Sequence, residues 1–447
     1  MNQKNIYQTF ARYVSLNVLS MLGLSLYILA DTFFIANGVG SSGLVALNLV
    51  LPVYSVVNGT GLMLGIGGAT RFSIAVGEGN RTLGSKIFMD VLYVALFAGI
   101  LFTVVGVFFS KQIVIMLGAS EQIIPLADTY LKTILSFSVV FILNNILVCF
   151  VRNDNNPHLA MAAMLSASVS NIVLDYLFVY PCGMGMFGAA FATGLAPIIS
   201  MSLLSIHFIC KKNSFALCRS RFKVTELNHI ILSGVPAFIN EVSTGLIMLL
   251  FNFIILGISG DTGVGAYGII TNIALICIAM FTGVAQGIQP IVSLNFGQKN
   301  TANIKKVLLA SSGVAVVLGV VFYFVGTLFT SPIVAVFNGE GDLQLAEIAA
   351  YGMRIYFIAF LFMGINIVMS AFLACIAKPR QALLISAMRG FAVVVPLLLV
   401  LPRFYGMTGV WLAIPLTELI TLGVSLVCLF LSLKHRGYEL HKTLGSE

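Results

Sequence analysis

The amino-acid sequence predicts an all-α integral membrane protein. About twelve transmembrane helices are expected, in two pseudo-symmetric six-helix bundles around a central cavity. Three observations carry this. Of 447 residues, 59% are hydrophobic and only 9% charged, against about 25% charged in an ordinary soluble domain. A globular core of this size could not hide so much apolar surface, so the solvent is lipid. Apolar runs of about 20–26 residues recur from end to end, the length that crosses hydrocarbon as a helix. The second half of the chain then repeats the first. Backbone groups in lipid must pair within their own segment, which makes helices the default. The short alternating segments of a membrane barrel are not seen in the sequence.

The expected spans cover 13–36, 44–70, 88–109, 126–150, 159–180, 186–209, 229–257, 265–288, 306–329, 348–375, 382–402 and 407–432. The first begins near residue 13 with no small-residue cleavage site behind it, so a removable signal peptide is not expected. The second and eighth are followed by matched turns, Gly77-Glu-Gly-Asn80 and Gly297-Gln-Lys-Asn300, at a shift of 220; Gly67 falls on Gly287 at the same shift. Pro157, before the fifth span, answers Pro379, before the eleventh, at a shift of 222. GMFGAAFA (185–192), opening the sixth, aligns with GMTGVWLA (406–413), opening the twelfth, at 221. Six is even, so both halves enter the membrane in the same direction. That is a parallel repeat about an axis along the membrane normal, with a substrate site near the midplane. The seventh span carries Pro236, which removes a backbone hydrogen bond and is expected to bend it. The domain plan is a first bundle at 1–210, a cytoplasmic linker at 211–228, a second bundle at 229–433 and a cytoplasmic tail at 434–447.

Charge sets the orientation. With the N-terminus inside, 20 of the 24 lysines and arginines fall on the inner side. These include Lys4, Arg12, Arg71, Arg152, Arg219, Arg221, Lys223, Lys378, Arg380, Arg389, Lys434, Arg436 and Lys442. Only Lys111, Lys132, Arg354 and Arg403 fall outside. This positive-inside bias places both termini in the cytoplasm of a bacterial plasma (inner) membrane. The net charge of +8 therefore reads as topology and contact with anionic membrane lipids, not as a nucleic-acid face. The loops leave no room for a soluble catalytic domain. No HExxH, GxSxG or P-loop lysine occurs, and the seven scattered cysteines form no CxxC pair. Neither an enzyme nor a cofactor is expected. The chain reads as a monomer handling small organic molecules.

Four acids fall well inside spans: Asp31, Asp175, Glu241 and Glu418. Each is expensive in hydrocarbon, about 2.5–3.5 kcal/mol for an Asp at a helix centre, and intramembrane acids mark ion and substrate paths. Asn171 and Asp175 are four residues apart and share a helix face; Thr193 lies one hairpin later. If spans one, five and six pack together, Asp31, Asn171, Asp175 and Thr193 converge. Two close carboxylates in a low dielectric do not both ionise cheaply. Such a pair carries a proton, or it ionises around sodium with the Asn and Thr oxygens as hard ligands. Glu241, beside Asn240 and after Pro236, suits a cationic substrate or a second proton. Asn144, Asn145, Asn272, Gln286 and Asn366 line the cavity or glue helices. Arg389 is expected to neutralise Glu418. Some of the 17 methionines and 34 phenylalanines would give the cavity a soft, adaptable wall.

Taken together, D31-TFFI, the Gly77–Asn80 turn, NIVLDYLFVY (171–180), MGMFGAAFAT (184–193), GVPAFINE (234–241) and the repeat resemble the multidrug and toxic compound extrusion family over nearly the whole chain. The resemblance implies an efflux antiporter working by alternating access, driven by inward proton or sodium flow. It further implies that Asp31, Asn171, Asp175 and Thr193 form the cation site of the first bundle. Glu241, Asn240, Asn145 and Gln286 are taken as substrate-cavity residues. Two departures are visible. Many sodium-linked relatives carry an acid in the tenth span, where MGINIVMSAF (363–372) offers only Asn366. A first-span proline is replaced by Leu16, with Asn17 beside it. The competing reading is a lipid-linked oligosaccharide flippase of the same superfamily, which would want arginines in its cavity; Arg389 is the lone deep candidate.

Overall fold

Apolar length makes the helices and glycine ends them. The computed structural model describes residues 6–216, 218, 224–337 and 342–444. Lys4, Arg219, Arg221 and Lys223 of the expected basic set lie outside the described residues, as do the side chains of Lys434, Arg436 and Lys442. The first half holds α1 (Ile6–Gly38), α2 (Ser41–Gly77) and α3 (Arg81–Met116). Next comes α4, made of Ile124–Ser136 and Ser138–Asn153 with a 50° bend between them. Then follow α5 (Pro157–Val179) and α6 (Gly185–Leu204).

The second half begins with a helical stretch, Val224–Gly297, broken at Gly260, where φ is 62° and ψ −157°. Only glycine adopts that backbone without strain. The break divides it into α7 (224–259) and α8 (261–297). The chain reverses there, because Ile230 near one end and Leu294 near the other both pack on α2, at Gly67 and Gly77. After α9 (Thr301–Leu328) and α10 (Leu343–Cys375), a second such glycine, Gly406 at φ 54°, separates α11 (379–405) from α12 (407–444). Ser432 on α12 hydrogen-bonds Gln381 on α11, so these too are antiparallel. Twelve crossings result among the described residues. Pro236 sits inside α7 without a break, since the only non-helical dihedrals of Val224–Gly297 are at Gly260.

The repeat is physical as well as textual. Asn80 caps α3 by accepting from Leu83 N at 3.0 Å, and Asn300 caps α9 by accepting from Asn303 N at 3.1 Å. The bend of α4 at Phe137 returns 220 residues later as the 3₁₀ turn Phe357–Ala359 in α10. On α3, the exposed side chains Phe97, Ile100, Leu101, Val104 and Phe108 form one helical stripe; Val317, Val320, Val321, Phe324 and Leu328 repeat it on α9. Spacings of three and four keep such residues on one face, and on a membrane helix that face meets lipid.

Glycines knit the two bundles at one end, the end carrying the α2–α3, α4–α5, α8–α9 and α10–α11 turns, called here the basic end. A methyl on Gly77 would stand 2.5 Å from Leu294 O and 3.0 Å from Gly297 Cα, and one on Gly287 2.8 Å from Val14 Cα. Methyls on Gly67 and Gly234 would collide with backbone of the opposite bundle, at Ile230 and Met63. Small residues let helix backbones touch this closely where no hydrophobic effect drives them together. The bundles are thus sealed at the basic end.

A polar knot reinforces the seal. Arg152, 1% exposed, lies at the end of α4. Its guanidinium donates to Asn17 Oδ1 at 2.9 Å on α1 and to Gln286 Oε1 at 2.6 Å and Gln289 Oε1 at 3.3 Å on α8. Gln289 in turn donates to Ile66 O and Thr70 Oγ1 on α2, both at 3.0 Å. The loop position expected for Arg152 is therefore corrected: it is buried between the bundles.

The segment after α6 is also tied down. Ser214 N donates to Asp154 Oδ2 at 2.7 Å, His207 Nε2 meets the same oxygen at 2.9 Å, and Phe215 is buried among Phe72, Phe88 and Phe150. The first residues of the expected linker thus pack on the first bundle.

In the second bundle, Arg389 grips Glu418 through Nε at 2.9 and 3.0 Å and through Nη2 at 2.9 Å. Asn366 donates to Glu418 Oε2 at 2.7 Å and accepts from Ser425 at 2.9 Å. Glu418 is neutralised by Arg389, as expected, and Asn366 is interhelical glue.

Two outcomes follow for stability in detergent. Gly234→Ala forces backbone from backbone and should cost about 1–3 kcal/mol, read as a lower thermal midpoint; Gly257→Ala, with nothing within 4 Å of its added methyl, should be neutral or better. Arg389→Met should cost about 3–5 kcal/mol by stranding Glu418, and adding Glu418→Met should restore most of the loss.

Candidate cation and substrate site

Four side chains singled out from the sequence meet inside the first bundle. Asp31 comes from α1, Asn171 and Asp175 from one face of α5, and Thr193 from α6. Asp175 is fully buried, Asn171 is 1% exposed, and Asp31 and Thr193 are buried as well. Asn171 Nδ2 approaches Thr193 Oγ1 at 3.4 Å, and Thr193 donates to Ala189 O at 3.0 Å. Asp31 and Asp175 are near enough to feel each other's charge. Close packing brings them there: Gly23 on α1 meets Leu165 on α5, Gly38 meets Val179, and Gly188 on α6 meets Phe178.

The chemistry of the set lies in what it lacks. Asp31 Oδ1, Asn171 Oδ1 and both carboxylate oxygens of Asp175 are buried with no hydrogen-bond partner. These are four oxygen acceptors without a protein donor. Buried polar groups are ordinarily paired, and an unpaired buried carboxylate is costly. Oxygens of this kind can be satisfied by a proton or by a small hard cation. For sodium, an oxygen-only donor set of two carboxylates, an amide and a hydroxyl fits. Among the described residues no group of three or more His, Cys, Asp or Glu side chains is arranged to hold a metal ion.

Three tyrosines complete the surroundings, and the sequence analysis passed over all of them. Tyr130 on α4 approaches Thr193 and lies in the field of both aspartates. Tyr27, one helical turn before Asp31, neighbours Tyr54 on α2. A cavity of about 100 Å³ opens beside them, lined by Tyr27, Tyr54, Asn58, Asn144, Asn145, Asn171 and Thr193 among others.

Glu241 is reached from this cavity by a line of amides. Asn145 Nδ2 donates to Asn58 Oδ1 at 2.8 Å, and Asn58 Nδ2 donates to Glu241 Oε1 at 2.8 Å. The line starts on α4, passes through α2 and ends on α7, so it crosses from one bundle to the other. Asn58 was missed in the sequence; its signal was an amide in mid-span, the same signal that singled out Asn145. Asn240 offers its carbonyl to Ser243 at 3.2 Å and Thr244 at 2.8 Å. Gln286 is drawn into the Arg152 knot. Of the expected substrate-cavity residues, Glu241 and Asn145 are brought together, whereas Gln286 is held at the seal.

The MatE family model matches residues 17–177 and 236–400, one match in each half. The chain is 25% identical over 417 residues to "Multidrug export protein MepA" of Staphylococcus saprophyticus, covering 91% of this chain and 89% of that protein. Among solved structures it is similar to the MATE multidrug transporter DinF-BH, with a TM-score of 0.88, 27% identity and 96% of each chain covered. It also superimposes on an outward-facing MATE family transporter of the MOP superfamily, with a TM-score of 0.88, 21% identity and 97% and 96% of the two chains covered. Two matched halves, twelve crossings and a paired-acid site in the first bundle lead to one conclusion: the chain belongs to the MatE, or multidrug and toxic compound extrusion, family of membrane transporters, and it is not an enzyme.

Proposed function

We propose that this protein is a secondary active multidrug exporter that exchanges organic compounds, mostly cationic or amphipathic, for an inward-moving proton or sodium ion. The observation that carries this reading is the set of four buried oxygen acceptors at Asp31, Asn171 and Asp175 with no donor among them. The export names borne by the relatives support the substrate class.

In the state sealed at the basic end, Asp31 and Asp175 take a cation from the opposite, outer side. Charge neutralisation removes the reason for the surrounding helices to hold those acids toward polar neighbours. The shift reaches Glu241 through Tyr27, Tyr54 and the Asn145–Asn58 line, weakening the hold on a cationic substrate. The seal then opens, the cation leaves to the cytoplasm, and substrate enters from the cytosol or inner leaflet. Coupling requires only that cation and substrate favour different states. The predominance of lysine and arginine at the basic end supports a cytoplasmic assignment for that end, and for both termini. The proposed domain limits are those of the sequence plan, with residues 211–216 joined to the first bundle.

The energy is sufficient. One charge moving through 100 mV is worth about 2.3 kcal/mol and one pH unit about 1.4 kcal/mol. Together, roughly 3.7 kcal/mol sustains a gradient of a few hundredfold. If a monovalent cation leaves as one proton enters, the voltage cancels and about tenfold per pH unit remains.

The test is dye efflux from inverted vesicles or proteoliposomes under imposed proton and sodium gradients. Asp31→Asn and Asp175→Asn should each cut gradient-driven efflux by about tenfold or more; undiminished efflux in both would remove the coupling assignment. Glu241→Gln should keep the gradient response while losing cationic dyes more than neutral ones. Transport of a polyprenyl-pyrophosphate sugar in place of dyes would favour the flippase.

A further inference from the structure

A second cavity shares no lining residue with the one beside the acid pair. It holds about 460 Å³ at the basic end, between the bundles. Arg71 on α2 forms one wall, His229 and Ser233 on α7 a second, and Lys378, Arg380 and Gln381 at the start of α11 a third. Three permanent cations thus face one space. Among the described residues one carboxylate answers them: Glu226, 3.1 Å from Arg71 Nη2. Arg71 Nε is buried with no hydrogen-bond partner. Gln381 Oε1 accepts from Ser432, which leaves its NH₂ as a donor. Helix α11 begins at Pro379, placing the positive end of its dipole at the same wall.

The internal repeat supplies a control. Ala377–Arg380 corresponds to Asn155–His158 at a shift of 222, and both turns hold a left-handed residue, Ala377 at φ 57° and Asn155 at φ 60°. In the first half that turn is covered by its own chain: Tyr13 Oη donates to Asn155 Oδ1 at 3.1 Å and Arg12 Nε to His158 Nε2 at 2.9 Å. In the second half no side chain among the described residues hydrogen-bonds to Lys378 or Arg380 in this way. The turn's positions 378 and 380 have become basic, and among the described residues neither Lys378 nor Arg380 has an ion-pair partner. Among the described residues, one copy of the turn is covered by protein and the other borders a positive cavity.

We propose that this cavity binds a phosphate group, carried by an anionic lipid headgroup or free in solution, and that the bound phosphate bridges the two bundles across their seal. Arg71 and Arg380 present planar forks suited to phosphate oxygens, and Lys378 adds a mobile charge. Because α2 and α11 belong to different bundles, a ligand held by both stabilises the arrangement sealed at the basic end by mass action. Binding here rests on the cavity alone; failure of the antiport reading would leave it standing.

The experiment uses the full-length transporter in nanodiscs, with thermal midpoint as the readout. Discs of phosphatidylcholine are compared with discs containing phosphatidylglycerol, and phosphatidylcholine discs are separately titrated with inorganic phosphate. The test variant is Lys378→Gln/Arg380→Gln. The control is Lys305→Gln/Lys306→Gln, which removes the same charge from exposed sites on the same end. A lipid source predicts that phosphatidylglycerol raises the wild-type and control midpoints. The test variant should then need about twentyfold more of it, from roughly fivefold per basic residue near the surface. A free-phosphate source predicts the same pattern in the phosphate titration alone. No response in either arm overturns the proposal, and so does an equal loss in test and control variants.

Discussion

Asp31 and Asp175 lie among helices that hydrocarbon surrounds, and the protein offers no donor to either oxygen of Asp175. The rest of the structure accommodates that constraint. Glycine contacts of α1 with α5 and of α6 with the α5 end hold the acids close. Tyr130 and Tyr27 lie in the field of both acids, with Tyr54 beside Tyr27. Were a cationic side chain present, it would satisfy the pair permanently, as Arg389 satisfies Glu418 in the second bundle. The two bundles share an ancestry visible in their turns and lipid stripes, yet they treat buried acid in opposite ways. One locks it with an arginine; the other gives Asp175 no hydrogen-bond donor.

Much of this was legible before any coordinates. Hydropathy marked twelve crossings because lipid demands long apolar helices, and the 220-residue shift marked the repeat because turn chemistry at Asn80 and Asn300 is local. Asp31, Asn171, Asp175 and Thr193 could be grouped because helical spacing and one hairpin suffice to bring α5 and α6 together. What stayed hidden depends on which helix faces which. Arg152 reads as a loop cation from sequence, since it follows an apolar span; only the packing of α8 onto α1 and α4 buries it against Gln286 and Gln289. Asn58 and the tyrosines carry no motif. Pro236 lies inside α7 among helical dihedrals, and the break in Val224–Gly297 is at Gly260, where the chain turns back.

The seal at the basic end gives the proposed cycle a mechanical basis. Backbone-to-backbone contacts at Gly67, Gly77, Gly234 and Gly287 are dense, and beside them Phe10, Tyr13 and Val14 on α1 bury apolar surface against Val284, Ile288 and Ile291 on α8. Such contacts can part and re-form. The Arg152 knot joins four helices, α1, α2 and α4 with α8, across the seal through neutral amides, so it separates without leaving a broken ion pair. The amide line from Asn145 through Asn58 to Glu241 crosses between the bundles at a different level, beside the cavity. The amide line thus joins the cavity beside the acid pair to Glu241 in the other bundle.

The claim on which the account stands is that the buried acid pair carries one exchangeable cation. Its most direct measurement is the cation content of the purified transporter, counted as protons taken up across neutral pH and as sodium bound at equilibrium. The account predicts about one cation per molecule in the wild type and its loss in both single Asp-to-Asn variants at positions 31 and 175. Equal proton uptake and equal sodium binding in the wild type and both variants would contradict it.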